Sequence, residues 1–144
     1  MRNSILLSYL LFALNLNAQV EPFEEKVFGE YLSVRDITMN DNEAYFTIKS
    51  IKGELSIISV AKRSKKGFSK IEKASFSGRY LDLEPFLAPN GLRLYFASNR
   101  PIHEDSTKNK DFNIWFVERS DINDKWSEAI CLNSPVNSIY NEFY

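Results

Sequence analysis

The chain has 144 residues, of which 44% are hydrophobic and 26% charged, and a formal net charge of −1. That length holds one domain with a real core, and the composition excludes a disordered chain. The near-neutral charge gives no electrostatic reason to expect nucleic acid as a partner.

Residues 1–18 carry the features of an export signal. Arg2 supplies the positive leading region, ILLSYLLFAL (5–14) the apolar core, and Ala18 a small residue at the cut, so Gln19 is expected to open the mature chain. The apolar run is too short to span a bilayer, and Asn15 and Asn17 interrupt its end. No Cys follows it to carry a lipid. Loss of Arg2 takes the formal charge from −1 to −2. The expected location is periplasmic or secreted, in a bacterial cell envelope, with no membrane span once the signal is removed. Residues 19–30 read as a lead-in.

Beyond it, short strands alternate with turn signals. The predicted strands are 32–38, 44–50, 55–61, 69–76, 84–87, 93–97, 113–118 and 128–132. Aromatic residues, 14% of the chain, fall mostly in these runs, which favours an all-β fold. Between the strands lie Asn40-Asp41-Asn42, Lys52-Gly53, Ser64-Lys65-Lys66-Gly67, Pro89-Asn90-Gly91 and Asn123-Asp124-Lys125. Gly and Asn accept positive φ at such places, and Pro presets its own. No helical period is sustained after the signal.

The strands repeat. AYFT (44–47) matches LYFA (94–97), LSIISVAKR (55–63) matches FNIWFVERS (112–120), and GFSKI (67–71) matches KWSEAI (125–130). Tyr45 and Tyr95 are 50 residues apart, while Phe68 and Trp126 are 58 apart. The longer loop 101–111 in the second unit accounts for the difference, as insertions in repeat folds do. Each unit reads as a four-stranded antiparallel meander, residues 31–82 and 83–140, the size of a propeller blade. Alternation sets Phe112, Ile114 and Phe116 on one face and Asn113, Trp115 and Val117 on the other. Both faces are rather apolar, as in a sheet sandwiched between neighbours.

At LEPFLAPNGLRLYFASNRP (83–101) the sequence resembles the WD-repeat-like β-propeller repeat of TolB-type periplasmic proteins, also found in tricorn-type and prolyl-oligopeptidase-type propellers. The residues that carry the resemblance are Glu84-Pro85, the turn Pro89-Asn90-Gly91, and Leu94-Tyr95-Phe96-Ala97-Ser98-Asn99-Arg100. Asn90 stands where the family pattern has Asp. The first unit matches more weakly, with no Glu-Pro and no Gly in its turn. The resemblance implies about two blades of a β-propeller, an incomplete ring. From the residues themselves, Glu84 and Arg100 are expected to be structural, Arg100 bonding carbonyls or a carboxylate such as Glu84. NEFY (141–144) falls 58 residues after LEPF, where a third repeat would open. The expectation is therefore a truncated array, with self-assembly of several copies into a ring as the alternative.

Catalytic signals are weak. His103, the lone His, lies among charges in PIHEDSTKNKD (101–111), and no Gly-x-Ser-x-Gly elbow accompanies it. His103, Glu104 and Asp105 are consecutive and rarely converge on one metal. Cys131, between Ile130 and Leu132, reads as a structural thiol. The Asn- and Asp-rich turns lack the ligand spacing of a calcium loop, and SDINDKW (120–126) lacks the Asp and Gly of a sialidase-type box. Lys62-Arg63-Ser64-Lys65-Lys66 reads as a charged hairpin loop. No cofactor or metal is expected. The long loop is the better binding candidate, through His103, Glu104, Asp105 and Lys108. From the resemblance, the expected role is non-catalytic binding or scaffolding with a protein or cell-envelope partner. The alternatives are the propeller of a secreted serine hydrolase and a carbohydrate-binding propeller with a glycan ligand.

Overall fold

The computed structural model describes residues 25–29, 31, 33–102 and 111–143. The fold is all-β, built as two antiparallel sheets. In the first, β1 (Val34–Met39), β2 (Glu43–Lys49) and β3 (Ser56–Ser64) form a meander, and β4 (Gly67–Phe68) and β5 (Glu72–Lys73) both pair with β3. In the second, β6 (Asp82–Leu87), β7 (Arg93–Ser98), β8 (Asn113–Glu118) and β9 (Ile130–Cys131) follow one another in order. A single helical turn, α1 (Glu25–Phe28), precedes them. It is too short to leave a periodic signal in the sequence. Among the described residues no helix is long and apolar enough to cross a membrane.

The two sheets are built to one plan. In each, the first strand is interrupted by a bulge, between Arg35 and Thr38 and between Leu83 and Phe86. Each bulge holds an acidic residue in the left-handed region, Asp36 at φ 57° and Glu84 at φ 53°. Non-glycine residues are uncommon there, Asp and Asn excepted. Thr38 faces Tyr45 as Phe86 faces Tyr95, and Tyr45 faces Val60 as Tyr95 faces Phe116.

The expected fourth strand 69–76 is broken, and a serine breaks it. The Ser69 amide donates to the Lys62 carbonyl at 2.7 Å while its hydroxyl accepts from the Lys62 amide at 3.0 Å. A side chain thus takes a backbone group's place and the ladder stops, to resume at β5. Ser127 does the same to Glu118, at 2.9 and 3.0 Å, ahead of β9. The expected strand 128–132 shortens to Ile130–Cys131 accordingly.

The core lies between the sheets. Tyr45, Ile58 and Ala74 of the first pack on Leu87, Leu94, Phe96, Trp115 and Val117 of the second. Strand β6 lies across β1, β2 and β3. Two threonines of the first sheet seat it: Thr47 Oγ1 accepts from the Glu84 amide and Thr38 Oγ1 from the Leu87 amide, each at 3.1 Å. The opposite face of the first sheet, with Phe46 and Ala61, is covered by α1. Phe28 meets the Phe46 ring edge-on, with centroids 4.9 Å apart. The opposite face of the second sheet carries Tyr95, Ile114 and Phe116, all half-buried. So the tyrosine-bearing face of one sheet takes the Leu-x-Phe face of the next.

Candidate functional site

Three groups of side chains stand out among the described residues. The first surrounds Asp82, which is fully buried. Its Oδ1 accepts from Ser98 Oγ at 2.7 Å and from Arg100 Nη2 at 2.9 Å, and its Oδ2 accepts from Ser77 Oγ at 2.7 Å. Ser77 Oγ in turn accepts from the Ile58 amide at 2.9 Å, which ties the network to the first sheet. Arg100 also bonds Ser98 Oγ through Nε and the Phe76 carbonyl through Nη2. Its guanidinium lies over Phe96 at 4.8 Å and Trp115 at 5.4 Å. A buried charge is tolerable only when paired and hydrogen-bonded, and here every partner is supplied by the fold.

The carboxylate for Arg100 is therefore Asp82, where the sequence had offered Glu84. Strand β6 explains this. Asp82 pairs with Ser98 across the ladder, whereas Glu84 sits in the bulge and turns aside. Its carboxylate approaches Arg35 Nη2 at 3.8 Å. Pro85 follows it in β6. In the turn, the Gly91 amide donates to the Ala88 carbonyl at 2.8 Å and Asn90 Oδ1 accepts from the Leu92 amide at 3.0 Å. Gly91 needs its freedom twice, for φ 71° and because a Cβ would stand 3.0 Å from Asn40 Nδ2. Pro89 enters this turn. Asn99 Oδ1 accepts from the Leu81 amide at 2.9 Å. Phe96 and Ser98 are buried and Tyr95 half-buried. The motif residues serve the scaffold.

The second group closes the seam between the sheets. Arg119 pairs with Glu43, and both side chains are buried. Arg119 also donates to the Gly91 carbonyl and lies 4.1 Å above the Trp126 ring. Tyr45 donates to Glu43 Oε2 at 3.0 Å and accepts from Trp126 Nε1 at 2.9 Å. Burial first, then the Glu43 carboxylate, raises the Tyr45 phenol well above its ordinary value. Nothing in the sequence marked this group. Glu43 and Arg119 are 76 positions apart.

The third is an aromatic surface. Phe86, Tyr95 and Phe116 run across the open face of the second sheet, with centroids 6.5 and 6.0 Å apart. Arg93 lies over Phe116 at 4.7 Å and pairs with Glu118 at 2.6 Å. Phe86 is 58% exposed. A cleft of about 640 Å³ opens beside it, bordered by Asp36, Thr38, Glu84, Ala97 and Phe143.

His103, Glu104, Asp105 and Lys108 lie outside the described residues, as does the expected signal at 1–18. Among the described residues no group of three or more His, Cys, Asp or Glu is placed to hold a metal ion. Cys131 is half-buried. Burial pushes its thiol up, against the opposing hydrogen bond from Asn137 Nδ2 at 3.3 Å. A thiol held protonated is a poor nucleophile.

Compared with family models, curated proteins and solved structures, the chain matches none.

Proposed function

We propose that this chain is an exported module of β-propeller type, each sheet one blade, that binds a protein or cell-envelope partner and performs no catalysis. The observation that carries the reading is the shared plan of the two sheets, with Asp36 and Glu84 left-handed at matching bulges and the same face order in each. Repeats that stack in one sense, each burying what its neighbour exposes, are how such arrays are built. The resemblance to TolB-type repeats at 83–101 supports the propeller assignment. The motif's own side chains are committed to packing and to the Asp82 network, which leaves binding to residues 101–111, read from the sequence as a long polar loop, and to exposed faces. The residues at 1–18 support export.

Purified peptidoglycan sacculi, with and without their associated proteins, test the reading. Retention of the mature chain on at least one preparation is expected, together with weaker retention when His103, Glu104, Asp105 and Lys108 are replaced by Ala. No retention on either, or a chain found in the cytosol with residues 1–18 intact, refutes it.

A further inference from the structure

Apolar exposure is concentrated at one rim of the two sheets. Among the described residues, the four most exposed large hydrophobic side chains are Ile51 and Ile139 at 83%, Tyr140 at 72% and Leu55 at 67%. Ile51 and Leu55 belong to the turn between β2 and β3. Ile139 and Tyr140 lie in a segment held to the start of β8. There the Leu132 amide donates to the Ile114 carbonyl at 3.1 Å and the Glu142 amide to the Phe112 carbonyl at 2.7 Å. The rim is a shared one, since β2 and β7 both end at it and Ser56 and Asn99 border a single groove. The hairpins of the opposite rim, 40–42, 64–67 and 89–91, consist of Asn, Asp, Ser, Lys, Pro and Gly. Single exposed apolar residues need no explanation, but four gathered at one end do.

The β2–β3 turn is fixed by its own bonds. The Ser50 amide donates to the Leu55 carbonyl and the Gly53 amide to the Ser50 carbonyl, each at 2.9 Å. Ser50 Oγ accepts from the Leu55 amide at 3.0 Å. Ile51 and Leu55 are thus held out in water by a closed loop. Beside it a groove of about 390 Å³ is bordered by Glu54, Leu55, Arg79, Tyr80 and Leu81. Arg79 lies over the Tyr80 ring at 5.3 Å. Lys49 and Lys52 flank Ile51 in the sequence, and among the described residues neither they nor Arg79 is in an ion pair. Against these three cations the tip sets one carboxylate, Glu54. Asp111 and Glu142 lie on the Tyr140 side, where Glu142 already accepts from the Ser138 amide and hydroxyl.

Ile, Leu and Tyr side chains with Lys and Arg beside them are the composition of a membrane–water interface. A protein partner would call for a closely fitted, fully buried centre. Here the apolar side chains stand on two separate loops, and a fluid acyl layer receives both at once. We propose that this rim rests on a phospholipid surface, with Ile51 and Leu55 entering the acyl boundary and Lys49, Lys52 and Arg79 meeting anionic headgroups. Ile139 and Tyr140 supply a second foothold. The proposal rests on the export reading and deepens the envelope-binding one, and a pure lipid probe lets it fail separately from retention on sacculi.

Sedimentation of the mature chain with protein-free vesicles tests it, using phosphatidylcholine alone and phosphatidylcholine mixed with phosphatidylglycerol. Binding to the mixed vesicles is expected, several-fold tighter than to phosphatidylcholine alone and weakened by salt. Ile51→Ser together with Leu55→Ser is expected to weaken binding about tenfold or more, with thermal unfolding unchanged because both side chains already face water. Lys52→Glu is expected to cut the preference for the anionic vesicles at least about fivefold. The emission of an Ile51→Trp variant should move to the blue on the mixed vesicles, and that of Lys65→Trp, in a hairpin of the opposite rim, should not. No binding to the mixed vesicles, equal binding by the double serine variant, or a blue shift from Lys65→Trp in place of Ile51→Trp overturns the proposal. So does retention on sacculus-associated proteins that depends on Ile51 and Leu55 without binding to lipid, which would make the partner a protein.

Discussion

Arg119 of the second sheet reaches across the seam to the Glu43 carboxylate of the first, and both side chains are almost wholly buried. Breaking such a pair leaves a charge buried and unpaired, which costs far more than the pair itself contributes. Glu43→Gln is expected to lower the unfolding free energy by about 3–5 kcal/mol in urea titrations. Adding Arg119→Met to that variant is expected to restore part of the loss, because the stranded charge is then gone. If the double variant is as unstable as the sum of the two single ones, the two residues are not coupled.

Asp82 and Glu84 are both acidic residues of β6, and they part company in the fold. Asp82→Asn is expected to destabilise by about 3–5 kcal/mol, since it uncouples Arg100 while both are buried. Glu84→Gln, whose side chain is largely buried but meets the part-exposed Arg35 only at 3.8 Å, is expected to cost clearly less than Asp82→Asn. Parallel thermal unfolding of the two variants checks the order, and a reversed order removes Asp82 as the centre of the network.

Ser69 and Ser127 make the same hydrogen bonds in equivalent places. Ser69→Ala and Ser127→Ala should therefore destabilise alike, by about 1 kcal/mol each, the ordinary net worth of such a bond. Denaturant titration of each variant measures it. A large inequality would mean that the two sheets do not share a plan at this corner.

Tyr45 offers a pH signature. Its folded-state pKa lies above the unfolded value of about 10. Its contribution to stability is then complete below about pH 10 and is lost as pH climbs towards the folded value. Tyr45→Phe should cost about 1–3 kcal/mol at pH 7, through the lost bonds to Glu43 and Trp126. The gap between wild type and variant should narrow above pH 10. Urea titrations from pH 7 to pH 11 follow it, and a gap that widens contradicts the assignment.

Cys131 should react with an alkylating reagent at pH 8 several-fold more slowly than a peptide thiol, because burial keeps it protonated. Full denaturation should abolish the difference. A fast native reaction would show that the thiol is neither buried nor held.

The alternation of apolar residues and the Gly, Asn and Pro turns were enough to place most strands, to pair them as two meanders and to expose the repeat, but the match of 55–63 to 112–120 is one residue out of register, since Val60 faces Tyr45 as Phe116, not Val117, faces Tyr95. These are local properties, set by period-two geometry and by which residues tolerate positive φ. The fourth strand failed for an equally local reason that only hydrogen-bond geometry reveals, a serine hydroxyl standing in for a backbone group. What the tertiary structure alone decided is partnership. Asp82 rather than Glu84 receives Arg100 because a bulge turns one carboxylate aside and leaves the other in the ladder. Glu43 finds Arg119 only after two sheets stack, and α1 closes one outer face while the Tyr95 face stays open. Contacts across long separations depend on how surfaces meet, and no stretch of sequence contains both halves of such a meeting.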